Sequence, residues 1–256
     1  RLGDTLCYNK LKAQGIQVPN FNDNEYTDYK GGFVKEPLLG FYKWVSTVDA
    51  TSLYPSVING FNISPETFVA RTNNFPTVDE LLTGKHDFGS EDGFCMAANG
   101  CAYRKGKQGF LPALMEKMYN DRVKYKKLML EAKQRFEKTK SPDDEKLIAR
   151  YHNMQLAKKI QLNSAYGALG NEYFRWFNFN HAEAITMSGQ LSIRWIEKKI
   201  NQFFNKMLKT TDKDYVIASD TDSVYVTMEE LEEVEDVLFE LIAQRQSPYK
   251  TFEIMQ

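Results

Sequence analysis

The chain has 256 residues, with 33 Lys plus Arg against 34 Asp plus Glu, a formal net charge of -1. That balance excludes a wholly basic, histone-like binder, and 42% hydrophobic with 26% charged residues describes a globular chain with a packed core, not a disordered or collagen-like one. No run approaches the ~18 apolar residues that a membrane span needs, and Cys7, Cys95 and Cys101 are odd in number with no CxxC pair, which argues against a disulfide framework or zinc ribbon and for a reducing, cytoplasmic setting. Arg1 stands where an initiator Met would, and no charged-then-apolar leader follows, so the expectation is a piece of a longer chain without a signal peptide.

Residues 1–42 are rich in Asn, Asp, Gly and Tyr, punctuated by Gly31-Gly32 and Pro37, and read as an irregular lead-in. The β-branched and aromatic stretch Tyr42 to Asp49 predicts a strand that ends on Asp49. Pro55 suits the first turn of a short helix running to about Gly60. Thr77 with Glu80 three residues on forms a capping box, and Gly84 stops that second short helix. From about Leu111 to Lys140, Leu111, Leu114, Met115, Met118, Tyr125, Met129 and Leu130 recur at helical spacing with no Gly or Pro after Pro112 in the first turn. Ser141-Pro142 followed by acidic residues starts another helix to about Ala168, so the two form an αα-hairpin. Residues 111–160 hold 13 Lys plus Arg against 7 Asp plus Glu, so the neutral total hides an arm of charge +6. A further helix is expected from Asn180, with Glu183 three residues on, to about Leu208. Asp214 to Ser219 and Ser223 to Met228 then flank Asp220-Thr221-Asp222 as a β-hairpin with an acidic tip. Residues 229–240 carry seven acidic and no basic residues on the pattern Leu231, Val234, Leu238 and Leu241, an expected helix with a negative solvent face. There is no internal repeat.

Asp220 and Asp222 are two apart; in extended structure their side chains leave one face, where a cation between them relieves their repulsion. Alone, an Asp-x-Asp is more often a solvated turn. Asp49 ends a separate strand, and three carboxylates brought together would make a hard-oxygen site suited to Mg²⁺. Lys159 and Asn163 are four apart on one helix, with Tyr166 and Gly167 a turn later; Arg122 and Lys126 are four apart on the facing helix. Such pairs by themselves describe a solvated helix face. His86, His152 and His181 have no convincing ligand partner and are read as structural, like Cys95 and Cys101.

Asp49-Ala-Thr-Ser-Leu-Tyr-Pro-Ser56 resembles motif A of the family B DNA polymerases, Lys159-Ile-Gln-Leu-Asn-Ser-Ala-Tyr-Gly167 resembles their motif B, and Asp220-Thr-Asp-Ser223 resembles their motif C, in the family order. Tyr29-Lys-Gly-Gly-Phe-Val34 is similar to the YxGG segment between the exonuclease and polymerase parts. The run Asn163 to Asn171 is most similar to the tailed-bacteriophage replicative branch. The resemblance covers the chain from about residue 26. It implies an α+β fold: an antiparallel palm sheet flanked by helices, with a two-helix antiparallel fingers hairpin. Residues 1–42 would lead into the palm, 43–110 form its first part, 111–168 the fingers and 169–256 its second part, with exonuclease and thumb absent.

The implied activity is addition of deoxyribonucleotides to a primer 3′ end by two-metal nucleotidyl transfer, with two Mg²⁺ ions for which Mn²⁺ can substitute. Asp49 and Asp222 would bridge the metals, the Ala50 carbonyl would complete the nucleotide-side ion, and Asp220 would be a supporting carboxylate. The family places Arg122, Lys126 and Lys159 around the β and γ phosphates and Asn163 beside them, aims the Ser52 and Leu53 N–H groups at the triphosphate, and puts Tyr54 under the sugar. Gly31, Gly32, Tyr166 and Gly167 would meet primer-template. The implied partners are primer-template DNA and deoxyribonucleoside triphosphates, with a sliding clamp or separate exonuclease and thumb segments and no membrane; a viral chain would work in the host cytoplasm. Two features depart from the pattern. Ala218-Ser219 replaces the usual Tyr-Gly before motif C, a change expected to alter the hairpin's fit at the primer end, and the Lys-Lys-x-Tyr segment that follows the palm is missing. The alternatives are a fold-retaining but catalytically incompetent DNA-binding or assembly module, and an Asp-x-Asp glycosyltransferase, which would leave Asp49–Ser56 and Lys159–Gly167 unexplained.

Overall fold

The computed structural model describes residues 2–13, 15, 18, 31–73, 75–86 and 93–231. In chain order the elements are α1 (Leu2–Ala13), β1 (Val34–Lys35), β2 (Val45–Asp49), α2 (Leu53–Gly60), β3 (Phe68–Arg71), α3 (Val78–Thr83), β4 (Phe94–Met96), β5 (Cys101–Arg104), α4 (Phe110–Thr139), α5 (Pro142–Leu169), α6 (Phe179–Leu208), β6 (Val216–Asp220) and β7 (Ser223–Thr227), followed by a 3-10 turn at Glu229–Leu231. The fold is α+β with antiparallel sheets.

Several local expectations hold to the residue. The Thr77 hydroxyl accepts from the Glu80 N–H while Glu80 accepts from the Thr77 N–H, and Gly84 closes α3 at φ 69°. Ser141 accepts from the Asp143 N–H and Pro142 opens α5. Others need correction. The lead-in is not irregular throughout, because its first residues form α1, whose Leu11 is buried in the main core. Helix α6 begins at Phe179 under an Asn178 cap, whose side chain accepts from the Asn180 N–H at 2.9 Å. Asn180 and Glu183 close no capping box of their own, since both are bound to Arg71. A second sheet, ordered β3-β5-β4, was not anticipated. Of the acidic helix expected over 229–240, all beyond residue 231 lies outside the described residues.

The arm is a coiled-coil-like hairpin. On α4, Met115, Met118, Arg122, Tyr125, Met129, Ala132 and Phe136 alternate spacings of three and four, the seam period of paired helices. Tyr125 stacks with Tyr151 of α5 at 6.5 Å, and Lys158 pairs with Asp121 at 2.9 Å. At the base of the arm, Met115 and Leu162 join Leu53, Val57 and Ile58 of α2 and Ala184 and Ile185 of α6 in one buried cluster. Further along α6, Ile193 and Phe204 pack with Val216, Val224 and Val226 of the four-stranded sheet in a second cluster. α6 is therefore the spine shared by both cores. Each such aliphatic side chain, fully buried, contributes about 1.5–3 kcal/mol.

That sheet has the order β1-β6-β7-β2, all antiparallel. Because Val224 and Val226 face α6, alternation turns Ser223 to the opposite face. Asp220 and Asp49 are the register partners of Ser223 on either side, so both carboxylates leave that same outer face with Ser223 between them.

Candidate active site

Two tight turns meet at the end of this sheet. β2 ends on Asp49, and the next N–H, that of Ala50, donates to the Asp222 carbonyl at 2.7 Å, tying the two aspartate-bearing turns together. Ser52 then takes a left-handed conformation, φ 58° and ψ 52°, to redirect the chain into α2. Its hydroxyl makes no capping bond and instead accepts from Arg122 Nη1 at 3.2 Å. The first-turn N–H groups of α2 thus lack the usual side-chain cap, and Pro55 contributes none.

The hairpin tip uses the same device. Thr221 has φ 52°, its N–H donates to the Phe33 carbonyl at 2.8 Å, and its hydroxyl donates to Asp220 Oδ1 at 2.9 Å. The extended-strand argument for a shared face of Asp220 and Asp222 is therefore corrected: Asp222 sits in the turn, its N–H donating to the Asp220 carbonyl at 2.6 Å, and it faces Asp49 because of the Ala50 bond and the strand pairing. Gly32 is required here, since a Cβ on it would lie 2.7 Å from the Thr221 hydroxyl. The Gly31 carbonyl accepts from Gln190 Nε2 of α6 at 2.5 Å.

A cavity of about 260 Å³ opens between the turns and the arm, lined by Ser52, Leu53, Tyr54, Pro55, Asn163, Tyr166, Thr221 and Asp222. The Tyr54 and Tyr166 rings meet within it at 4.3 Å, tilted by 36°. Burial, then the Asp49 charge and after it that of Asp220, push the Asp222 carboxyl above its usual range; a backbone hydrogen bond and Lys159 pull the other way. Asp49, Asp220 and Lys159 are thus within electrostatic reach of the cavity without lining it. Among the described residues no three His, Cys, Asp or Glu side chains gather in metal-ligating geometry. The oxygen donors at hand are Asp49, Asp222 and the Ala50 carbonyl, all hard, and the negative charge that Asp49 and Asp220 place around Asp222 suits a divalent cation.

Not every residue singled out from the sequence converges. Lys126 and Gly167 are exposed and outside the cavity lining, and Gly31 is exposed with open space beside it. The expectation for Ala218-Ser219 also changes. Ser219 faces α6, is buried and leaves its hydroxyl without a partner, so its bulk enters the core, while Ala218 lies on the carboxylate face opposite Tyr225. Sequence reasoning did not single out Pro55 and Thr221 as lining the cavity, although both lie inside the quoted motifs, nor Gln190, which binds the Gly31 carbonyl. His181 is structural: it is buried, and its Nδ1 lies 3.0 Å from the Tyr103 hydroxyl. Cys95 and Cys101 are free thiols.

A sequence profile of DNA polymerase family B matches residues 5–244. A DNA-directed DNA polymerase of Escherichia phage RB69 is 30% identical over 89% of the chain, and one of Enterobacteria phage T4 is 32% identical over the same share. DNA polymerase 1 of Pyrococcus abyssi is 32% identical over 78% of the chain and is covered for 21% of its own length. The chain spans 30% of the length of the two phage relatives. Among the described residues no helix is long and apolar enough to cross a membrane. The profile spans nearly the whole chain, and this chain belongs to DNA polymerase family B, in its phage branch.

Proposed function

We propose that the chain is the palm and fingers of a DNA-directed DNA polymerase, adding deoxyribonucleotides to a primer 3′ end by two-metal nucleotidyl transfer in the host cytoplasm. The observation that carries this reading is the Ala50 to Asp222 hydrogen bond, which holds the motif A and motif C turns at one cavity with Tyr54, Asn163 and Tyr166. In this reading β2 to β7 belong to the palm, and α4 with α5 is the fingers.

Asp49, Asp222 and the Ala50 carbonyl would hold Mg²⁺, with Mn²⁺ able to substitute and Asp220 as a supporting charge. When bound, the two ions would stabilise the attacking and leaving oxygens of the transfer. The protein's own contribution is positional. The uncapped first turn of α2 offers the Ser52 and Leu53 N–H groups to an anion, helped by the positive end of the helix. Arg122, bound to Ser52 at the rim, exchanges a hydroxyl partner for phosphate oxygens, with Lys159 and Lys126 adding charge along the arm. Asn163 supports the nucleotide, and Tyr54 occupies the space a 2′-hydroxyl would need. Gly31, Gly32, Tyr166 and Gly167 face primer-template. A sliding clamp and separate exonuclease and thumb segments are the expected partners.

The test is single-nucleotide extension of a labelled primer-template by the purified chain with Mg²⁺, beside Asp222→Asn. Extension by the parent alone supports the reading. Equal extension by both would remove the metal assignment.

A further inference from the structure

Gly189 lies in the middle of α6, where glycine is the poorest helix former after proline. Its own backbone gives no reason for it, since it is not among the residues with positive φ. The reason is a neighbour. A Cβ at this position would stand 2.9 Å from Tyr54 Cε1, 3.4 Å from Tyr54 Cδ1 and 3.6 Å from Leu53 Cδ2, so the Tyr54 ring rests directly on the α6 backbone. Tyr166 of the arm covers the ring at 4.3 Å.

The helix cannot back away from the ring, because it is pinned at this turn. Ser188 accepts from the Ala98 N–H at 3.0 Å, and Gln190 donates to the Gly31 carbonyl at 2.5 Å. A side chain at 189 would therefore displace Tyr54, not α6, and Tyr54 lines the cavity.

We propose that Gly189 is a positioning residue that sets how far Tyr54 projects into the cavity, and thereby how strictly the site selects deoxyribose over ribose. This rests on the reading of the cavity as a nucleotide site. A single methyl at 189 fills the space beneath the ring and so lengthens the projection without touching Tyr54 itself.

The experiment titrates the parent, Gly189→Ala, Tyr54→Ala and the double variant with dATP and with ATP in Mg²⁺. The expected result is a preference for dATP over ATP that rises roughly tenfold in Gly189→Ala, the low end of what one carbon changes in a pocket's selectivity. In the Tyr54→Ala background the same substitution should change nothing, a non-additivity that a purely structural role would not produce. An unchanged ratio in Gly189→Ala, or a shift that persists without the Tyr54 ring, would overturn the proposal. If Gly189→Ala does not fold, the double variant should fold, because the clash is gone; an unfolded double variant would overturn it too. A parent that binds neither triphosphate would remove the nucleotide site itself, and both readings with it.

Discussion

Asp222→Asn should make the metal-free protein more stable and the metal-loaded protein less so. Asp222 is held against Asp49 and Asp220, and the net effect of its surroundings disfavours its charge. Two carboxylates about 5 Å apart, roughly one strand spacing, repel by about 0.8 kcal/mol in bulk-water dielectric. Two such repulsions, less the attraction of Lys159, leave a gain of about 1 kcal/mol for the neutral, nearly isosteric Asn. Mg²⁺ at ten times its dissociation constant stabilises the parent by about 1.4 kcal/mol per site, or about 3–6 °C for a chain of this size. The variant keeps its charge relief but loses a ligand. The order of melting temperatures should therefore cross, with the variant higher in EDTA and the parent higher in saturating Mg²⁺, as read by calorimetry on the same preparations. Extension should fall by about 10³-fold or more, the value of several kcal/mol of lost transition-state stabilisation. A parent more stable than the variant in EDTA, or equal Mg²⁺ stabilisation of both, would refute the reasoning.

Tyr54→Ala should raise ribonucleotide incorporation relative to deoxyribonucleotide by about 10-fold or more, measured in parallel extension assays; an unchanged ratio would reduce Tyr54 to packing. Ser219→Ala removes a buried hydroxyl that has no partner and should stabilise the chain by about 1 kcal/mol, seen as a higher urea midpoint at constant slope. Burial pushes the His181 imidazole down to about 4 from 6.5, so its neutral form is the one the fold holds. The unfolded chain binds the proton first, and stability should be full above pH 6.5, fall as pH drops from 6.5 toward 4, and level off below. That loss amounts to about 3 kcal/mol at most, and it should vanish in His181→Phe when chemical denaturation is followed across that window.

The arm was legible because its signals are local. A long heptad-spaced run with no Gly or Pro beyond Pro112 in its first turn, closed by Ser141-Pro142, predicts a helix pair that buries Met115, Met129 and Ala132. The site's membership was legible only through motifs, and its geometry was not. The alternation rule failed at Asp222 because Thr221 takes a left-handed turn, so what aligns Asp222 with Asp49 is a long-range hydrogen bond from Ala50 that no spacing encodes. The β3-β5-β4 sheet was missed although Asn99-Gly100, with Gly100 at φ 76°, is a hairpin signal between Phe94–Met96 and Cys101–Arg104. Its strands of three or four residues are too short for their period to stand out. Helix α1 went unread because its apolar residues form only a weak stripe, and its place comes from Leu11 reaching the main core.

The two helices of the arm are 30 and 28 residues long and rooted at one end in the cluster around Val57. Such a pair behaves as a lever about 45 Å long at a rise of 1.5 Å per residue. A rotation of about 10° at the root would carry the Lys140 turn through about 8 Å, yet Lys159, about 15 Å from the root, would travel only about 3 Å. Lys159 sits on the short radius, where a small angular excursion changes a contact without losing its aim. The long radius converts the same excursion into a sweep of the distal turn, so one pivot can tune a contact at one end and magnify it at the other.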